Sequence, residues 1–298
     1  MFRKNLINNI DNFLGKLIFK SFNSFRYCIF DSIIYHKNLK KNLKNNEVVM
    51  NFNNKGFCKI KSIDKDDITE LKKIFSDDNN ASFKENSYTF KPSLNLEKSK
   101  NLIKNIIQKN LSEILKNLKF YYNKNIYLTN VELKKTFHIN KEHEENEYFN
   151  NFFHIDSYLR THFKIFVNVS DIEEKNGPTE VFDLLKTKKI RQFNSFENKR
   201  GNLKIPSEIR SYLNTGKAGE VLLCNTSLCL HRATNPEIGN TRENLILTFV
   251  SYPGPSDDLF HYEKIDPESI WTNKNSITKT LAKPRRYSEV ISLLKKFV

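Results

Sequence analysis

Two side chains of the types that bind metal ions are separated by one residue in the segment FFHIDSYLRTHFKIFVNVSDIEEKNGPTEVF. In a strand, residues i and i+2 point to the same face, so His154 and Asp156 would project together while Ile155 faces the packing side. A third ligand must come from elsewhere, and the candidate is His231, at the end of the predicted strand VLLCNTSLCLH. Two histidines and one carboxylate on one face form the arrangement that holds non-haem Fe(II) and leaves positions for oxygen and a co-substrate.

A fixed cation follows these residues at the start of the next predicted strand. Arg242 lies eleven residues beyond the last candidate ligand. Because a guanidinium binds a carboxylate in a bidentate fork, Arg242 could pair with a dicarboxylate held in the metal pocket. Lys135 and Lys164, on flanking predicted strands, are weaker candidates for contacts to a carboxylate or a substrate. His162 is the nearest rival ligand, eight residues beyond the first candidate histidine and past a predicted bend.

Each of these residues also has an ordinary structural explanation. An H-x-D fragment is common by chance in strands, a histidine at a strand end can be satisfied within the fold, and a lone arginine is usually a surface residue. His138, His143 and His261 show that histidines arise in this chain without a pattern, and they receive no role. The prediction therefore depends on the order and spacing of the four residues together.

The elements that must position these residues change in character along the chain. After an N-terminal helical segment, residues 1–45, a strand-like GFCKIKSI and a helix-like DKDDITELKKIF follow. Apolar residues at helical spacing over residues 102–118 predict an amphipathic helix. Five later segments read as strands: IYLTNVELKKTFHI, FFHIDSY, HFKIFVNVS, GEVLLCNTSLCLH and NLILTFVSY. Helices followed by many strands predict a single, mainly β domain over residues 46–298, an antiparallel sandwich or barrel with flanking helices and a core over about 126–252.

Bulk composition bounds the class of protein. A chain of 298 residues with 38% hydrophobic and 12% aromatic residues predicts a packed core. The net charge of +15 would ordinarily favour nucleic acid or an anionic membrane as a partner. The lysines are spread along the chain between acidic residues, however, and accompany heavy use of Asn, Ile and Phe, so we expect no nucleic-acid partner. Four cysteines without a C-x-x-C pair indicate a reduced, cytoplasmic setting.

Nothing in the sequence predicts a membrane span. No apolar run approaches the roughly 20 residues that a spanning helix needs. Residues 1–45 lack the uninterrupted apolar stretch of a signal peptide. An amphipathic segment of this kind can lie on a membrane surface, so peripheral contact stays open. We expect the segment to pack on the core of its own domain instead.

Taken together, H-x-D, N-G-P, G-E-V-L-L, H-R and the arginine after it resemble the phytanoyl-CoA dioxygenase family of Fe(II)/2-oxoglutarate-dependent oxygenases. The resemblance is best over residues 127–252, and GFCKIKSIDKDDITELKKIF is similar to the family's N-terminal lead-in. It implies a double-stranded β-helix, also called a jelly-roll or cupin-like barrel. It also implies that His154, Asp156 and His231 are iron ligands, and that Arg242 binds the distal carboxylate of 2-oxoglutarate.

The activity that the resemblance implies is hydroxylation of an unactivated C–H bond in a small organic or lipid-like substrate, with dioxygen and 2-oxoglutarate as co-substrates. Asp156 favours hydroxylation over halogenation, because related halogenases have Ala or Gly there. The family's P-G-S-H turn is replaced by TEVFDLLKTKKIRQ, so no substrate preference is implied. Two other functions stay open: a non-catalytic β-helix binding module, and a cupin-like metal enzyme that does not use 2-oxoglutarate. The presence of all three ligands weighs against the first, and Arg242 weighs against the second.

Overall fold

A computed structural model of the chain describes residues 46–76, 81–83, 88–92, 94, 97–122, 125–156, 162–194, 201 and 203–252. The predicted N-terminal helical segment, residues 1–45, lies outside the described residues. Among the helices that the structure describes, none combines the length and the apolar character of a membrane span.

The described residues form five α-helices. They are α1 Glu47–Lys55, α2 Lys65–Ser76, α3 Glu97–Ile106, α4 Ser112–Tyr122 and α5 Leu184–Phe193. A π-helical turn, Ile107–Leu111, joins α3 to α4, and short 3-10 turns lie at Lys141–His143 and Glu174–Asn176. The helix predicted over residues 102–118 is confirmed, although it begins earlier and ends later than its apolar pattern suggests. DKDDITELKKIF is likewise confirmed as α2, whose first turn is acidic as the helix dipole favours.

Two helix ends show why the chain changes direction where it does. The Asn46 side chain accepts a hydrogen bond from the backbone N–H of Val49, 3.1 Å away, and so caps the start of α1. α1 ends at Gly56, which has a φ of 82°. A Cβ at this position would lie 2.3 Å from Sγ of Cys229, so both the backbone conformation and the close approach require glycine.

Ten strands form two antiparallel sheets in the described part of the chain. The strands are β1 Phe57–Ile60, β2 Ala81–Phe83, β3 Thr89–Pro92, β4 Asn125–Thr136, β5 His162–Asn168, β6 Thr179–Val181, β7 Tyr212–Leu213, β8 Val221–Cys224, β9 His231–Ala233 and β10 Arg242–Tyr252. The large sheet has the order β1-β8-β5-β10-β4-β3-β2, and the small sheet has the order β7-β6-β9. Side chains of both sheets share one buried apolar cluster, so the sheets face each other. The architecture is the expected double-stranded β-helix with flanking helices.

The two faces of the large sheet differ in chemistry because side chains alternate along each strand. One face is apolar and packs against helices α1 to α4; on β5 it carries Phe163, Ile165 and Val167. The other face points into the space between the sheets, which we call the barrel interior. This interior face is rich in polar and charged side chains that are nonetheless buried, among them His162, Lys134, Thr136, Asn168, Arg242, Asn244 and Thr248.

Two of the predicted strands are wrong in detail. FFHIDSY does not form a strand over its described residues, because only His154 pairs, in an isolated bridge. GEVLLCNTSLCLH is not one strand, because it contains β8 and then only the first residue of β9, and these strands belong to different sheets. The chain turns between them because the Asn225 carbonyl accepts hydrogen bonds from the N–H groups of Leu228 and Cys229 at 3.0 and 2.8 Å. His231 therefore begins a strand of the small sheet and does not end a strand of the large one.

Candidate metal centre

The two candidate histidines are direct backbone partners. His154 and His231 exchange both N–H···O=C hydrogen bonds, at 3.0 and 3.1 Å. Opposite residues of an antiparallel pair project to the same side, and the two imidazole ring centroids lie 4.4 Å apart. The backbone N–H of Asp156 donates to the carbonyl of Thr226 at 3.1 Å, which anchors the segment on the far side of the bridge. The local backbone thus directs all three side chains into the barrel interior.

Apolar residues that alternate with the candidate ligands anchor the segment from behind. Phe153 and Ile155 pack against the buried side chains of Phe182, Ile190 and Leu230. Ile190 lies on α5. This helix forms most of TEVFDLLKTKKIRQ, the segment that stands in place of the P-G-S-H turn expected from the family resemblance. This helix is therefore a support for the ligand-bearing segment.

One side-chain hydrogen bond ties α5 to the strand that carries the second histidine. The hydroxyl of Thr187 accepts the backbone N–H of Leu230 at 3.0 Å and donates to the carbonyl of Phe182 at 3.1 Å. Both contacts are buried, where such bonds are costly to leave unmade. The position of the second histidine is thus fixed through Leu230, the residue directly before it.

The three candidate ligands converge at distances suited to a small divalent ion. Nε2 of His154 lies 3.3 Å from Oδ1 of Asp156, and Nε2 of His231 lies 3.5 Å from Oδ2. Ligand atoms about 2.1 Å from a metal and at right angles to each other are about 3 Å apart. The three residues are the only group of this kind among the described residues, and their ligand atoms all lie within 4.8 Å of one another.

The protonation of both imidazoles also suits metal binding. Nδ1 of His154 lies 2.7 Å from the carbonyl oxygen of Phe152, and Nδ1 of His231 lies 2.9 Å from that of Cys229. A carbonyl can only accept, so each Nδ1 carries a proton, and in the neutral tautomer that this fixes the Nε2 lone pair is directed inward. Nε2 of His154 is buried without a hydrogen-bond partner. Two inward lone pairs and a carboxylate form the donor set that non-haem Fe(II) takes.

Lys164 is the charge partner of the candidate carboxylate. Its Nζ lies 2.7 Å from Oδ2 of Asp156, so this weaker prediction from the sequence does fall at the site. Burial by itself raises the pKa of Asp156, but the neighbouring Lys164 ammonium outweighs it and holds the pKa well below its usual range. The carboxylate is therefore ionised at neutral pH and available as a ligand. Burial also lowers the pKa of His231, an effect that Asp156 only partly offsets.

His162 lies near the site but outside the group of three. It stands on β5 two residues before Lys164, on the same interior face. Burial lowers the pKa of His162 to about 4, so its imidazole is neutral at physiological pH. Nδ1 of His162 is buried without a hydrogen-bond partner. His162 is therefore a buried polar residue of the interior and is not one of the three candidate ligands.

Arg242 opens β10 and is only 4% exposed. Its Nη1 is buried without a hydrogen-bond partner, and burial lowers the pKa of the guanidinium to about 10. Across the sheet it stands opposite Thr136 of β4, on the same face as Lys164 of β5. An unpaired guanidinium in a dry interior is costly, so this arginine is suited to an anion that enters the interior.

The other lysine candidate, Lys135, points away from the interior. Its Nζ pairs with Glu243 at 2.8 Å. The lysine of β4 that faces the interior is its neighbour Lys134, which sequence reasoning missed. A signal for it was present, because Glu132 and Lys134 alternate with the apolar Val131 and Leu133 in VELKKT. That alternation places two charges on one face of a strand whose other face is core.

Neither a protein-family model nor a curated protein sequence matches the chain. Membership of the phytanoyl-CoA dioxygenase family therefore stays a prediction. Solved structures with a similar fold are described as iron- or 2-oxoglutarate-dependent non-haem enzymes. SnoN, an α-ketoglutarate-dependent epimerase of nogalamycin biosynthesis, has a TM-score of 0.48 and 10% identity over 68% of this chain and 81% of that one.

Two further structures have a similar degree of likeness. HygX from Streptomyces hygroscopicus, solved with nickel and 2-oxoglutarate bound, has a TM-score of 0.47 and 12% identity over 69% of this chain and 87% of that one. SnoK, an α-ketoglutarate-dependent carbocyclase of nogalamycin biosynthesis, has a TM-score of 0.47 and 12% identity over 76% of this chain and 92% of that one. The likeness concerns overall architecture.

Proposed function

We propose that this protein is an Fe(II)/2-oxoglutarate-dependent dioxygenase that hydroxylates an unactivated C–H bond of a small organic or lipid-like substrate. The observation that carries the proposal is one polar interior that contains both a three-ligand metal group and a buried, unpaired arginine. The ligands are His154, Asp156 and His231, and the arginine is Arg242. Three buried, free cysteines among the described residues support a reducing, cytoplasmic setting.

Each residue has a distinct task in this proposal. The two Nε2 atoms and one oxygen of Asp156 would hold the metal on one side only, because no fourth ligand stands among the described residues. Lys164 keeps the carboxylate ionised and orients it through Oδ2. Arg242 would bind the distal carboxylate of 2-oxoglutarate and so fix the orientation of the co-substrate. When bound, the iron supplies the oxidation of 2-oxoglutarate by dioxygen to succinate and carbon dioxide, coupled to insertion of the second oxygen atom into the substrate C–H bond.

Anaerobic titration tests the proposal directly. The wild-type protein should bind one Fe(II) per chain, and adding 2-oxoglutarate should produce the visible metal-to-ligand charge-transfer band of the chelate. His154→Ala should lose the iron. Arg242→Ala should keep it but bind 2-oxoglutarate about tenfold to a hundredfold more weakly, since hydrogen bonds to charged groups contribute roughly 1.5–3 kcal/mol.

Arg242→Lys is the matched control for charge. It should recover only part of the loss, because an ammonium cannot reproduce the bidentate fork. Iron binding without the charge-transfer band would indicate a metal enzyme that does not use 2-oxoglutarate. Equal iron affinity in wild type and His154→Ala would contradict the assignment of the metal centre and favour the non-catalytic binding module.

A further inference from the structure

The barrel interior contains a second cation close to Arg242 that the proposed function does not use. Lys134 of β4 is 8% exposed. It stands opposite Asn244 of β10, and Arg242 stands opposite Thr136, so the two cations are diagonal neighbours on the same face. Diagonal cross-strand neighbours have Cα atoms about 7–8 Å apart, within reach of long side chains.

Neither cation has an anion of its own in the part of the chain that the structure describes. The carboxylate nearest to Lys134 along the strand belongs to Glu132, which pairs with Lys91 at 3.0 Å. The interior carboxylate of Asp156 pairs with Lys164 at 2.7 Å. The Lys134 ammonium lies over the ring of Phe149, with the nitrogen 5.8 Å from the ring centroid. The interior thus has more positive charge than its own carboxylates neutralise.

The two cations lie beyond the metal group along the barrel, beside a polar network of three asparagines. Asn244 donates to Oδ1 of Asn168 at 3.3 Å, and Asn214 donates to the same atom at 3.4 Å. The backbone N–H of Asn214 also bonds to Thr179 of β6 at 2.8 Å. Thr179 is two residues from Val181, the β6 partner of His231, which is a rise of about 7 Å. A five-carbon dicarboxylate chelated at the metal group is long enough to reach this level.

We propose that Lys134 and Arg242 together bind one carboxylate, the distal carboxylate of 2-oxoglutarate, with Lys134 as a positioning residue that also sets the pH dependence of co-substrate binding. The inference rests on the proposed function. Arg242 supplies the bidentate fork, and the Lys134 ammonium adds a second, single-point charge to the same anion. A monocarboxylic 2-oxo acid would leave both cations unpaired, so the pair also selects for a dicarboxylate.

The pH dependence follows from the charges that surround Lys134. Burial lowers the pKa of its ammonium to about 7, and Glu132 on the same strand opposes this. The cations Lys91 and Arg242 on the two neighbouring strands, and Lys164 on β5, lower the pKa further. A bound carboxylate favours the protonated amine, so above neutral pH the co-substrate should bind together with a proton. By linkage, affinity then falls as the pH rises above about 7, at most about tenfold per pH unit.

Calorimetric titration of the Ni(II)-loaded protein with 2-oxoglutarate tests this without turnover. Between pH 6.5 and 8.5 the affinity of the wild type should fall, and at pH 8 about one proton should be taken up per ligand, measured in buffers of different ionisation enthalpy. Lys134→Met should bind about tenfold more weakly at pH 6.5 and lose the pH slope. Lys134→Arg should retain most of the affinity but show no slope, because arginine does not titrate in this range.

Two controls separate the sources of failure. Lys135→Met, on the opposite face of the same strand, should bind like wild type. The monocarboxylate 2-oxopentanoate should bind weakly to wild type and equally weakly to Lys134→Met, which identifies the distal carboxylate as the group that Lys134 contacts. If Lys134→Met keeps wild-type affinity and slope for 2-oxoglutarate, the inference is wrong while the proposed function stands. If the Ni(II)-loaded wild type binds no 2-oxoglutarate, both are wrong.

Discussion

On one face of the seven-stranded sheet the side chains are apolar and covered by helices, whereas on the other they are polar, charged and also buried. The contrast exists within single strands. Phe163 and Ile165 of β5 lie in the helix-covered core. The residues that alternate with them, His162 and Lys164, line the barrel interior. Burial of the apolar face stabilises the folded protein, whereas desolvation of the polar face destabilises it. A fold that retains the second face does so for a purpose other than stability.

The largest effect is expected on the apolar face. Phe163 is fully buried, and its ring stacks on Phe249 with centroids 5.3 Å apart. Phe163→Ala should lower the free energy of unfolding by about 3–5 kcal/mol, because it leaves a cavity in the core. Phe120→Ala is the control, since Phe120 of α4 is 61% exposed and its removal should change stability by less than about 0.5 kcal/mol. Urea denaturation followed by circular dichroism compares them, and equal losses would contradict the assignment of the core.

An intermediate effect is expected where the interior face holds its ion pair. Asp156→Ala leaves the Lys164 ammonium without its partner, 2.7 Å away in wild type. The unfolding free energy measured with a chelator at pH 7 should fall by about 2–3 kcal/mol, somewhat less than for a fully buried pair. Asp156→Ala/Lys164→Met should regain most of this loss yet bind no metal. A double variant as unstable as the single one would show that the ion pair is not the cause.

The smallest effect has the opposite sign. Lys134→Met should raise the unfolding free energy of the ligand-free protein by about 1–2 kcal/mol at pH 6.5, because a buried charge is replaced by an apolar chain. Burial lowers the pKa of Lys134 to about 7 in the folded protein, whereas an unfolded lysine titrates near 10.4. Between pH 7 and about pH 10 the amine of Lys134 is neutral in the folded protein but still protonated in the unfolded chain. The unfolding free energy of the wild type therefore rises with pH over this range.

The advantage of Lys134→Met should therefore be greatest below pH 7 and shrink towards pH 10. Thermal unfolding scans across this range measure it. Lys135→Met removes only the partly exposed pair with Glu243, and should change stability by no more than about 1 kcal/mol without the same pH trend. A Lys134→Met variant less stable than wild type at every pH would mean that the lysine supports the fold.

The sequence predicted the helix-covered face better than the interior face. Helical spacing identified the apolar stripe of α3 and α4, and the strands β4, β5 and β10 were evident from their β-branched and aromatic residues. These patterns are strong because each element faces a single core. The H-x-D pair and His231 were predicted from order and spacing, and the structure brings their ligand atoms within 4.8 Å of one another.

The errors arose where apolar composition does not determine conformation. VLLCNTSLCLH stays apolar on both sides of Asn225, so its composition hides the turn that carries the chain from one sheet to the other. Likewise, Lys134 and Arg242 are 108 residues apart along the chain, and only the register of β4 with β10 makes them neighbours. Register depends on tertiary pairing, which no local pattern specifies.

The π-helical turn Ile107–Leu111 has a consequence for the phase of the long helix that it interrupts. Buried residues follow each other at intervals of four, at Ile103, Ile107, Leu111 and Leu115. In a regular helix each interval overshoots a full turn by about 40°, so the buried stripe would spiral off the sheet. The wider turn absorbs this overshoot and keeps the stripe straight over both halves. Because a π turn accommodates one more residue than an α-helical turn, loss of a single residue there should leave a regular helix whose later side chains still face the core, whereas the same deletion elsewhere in the helix would rotate every later contact by about 100°.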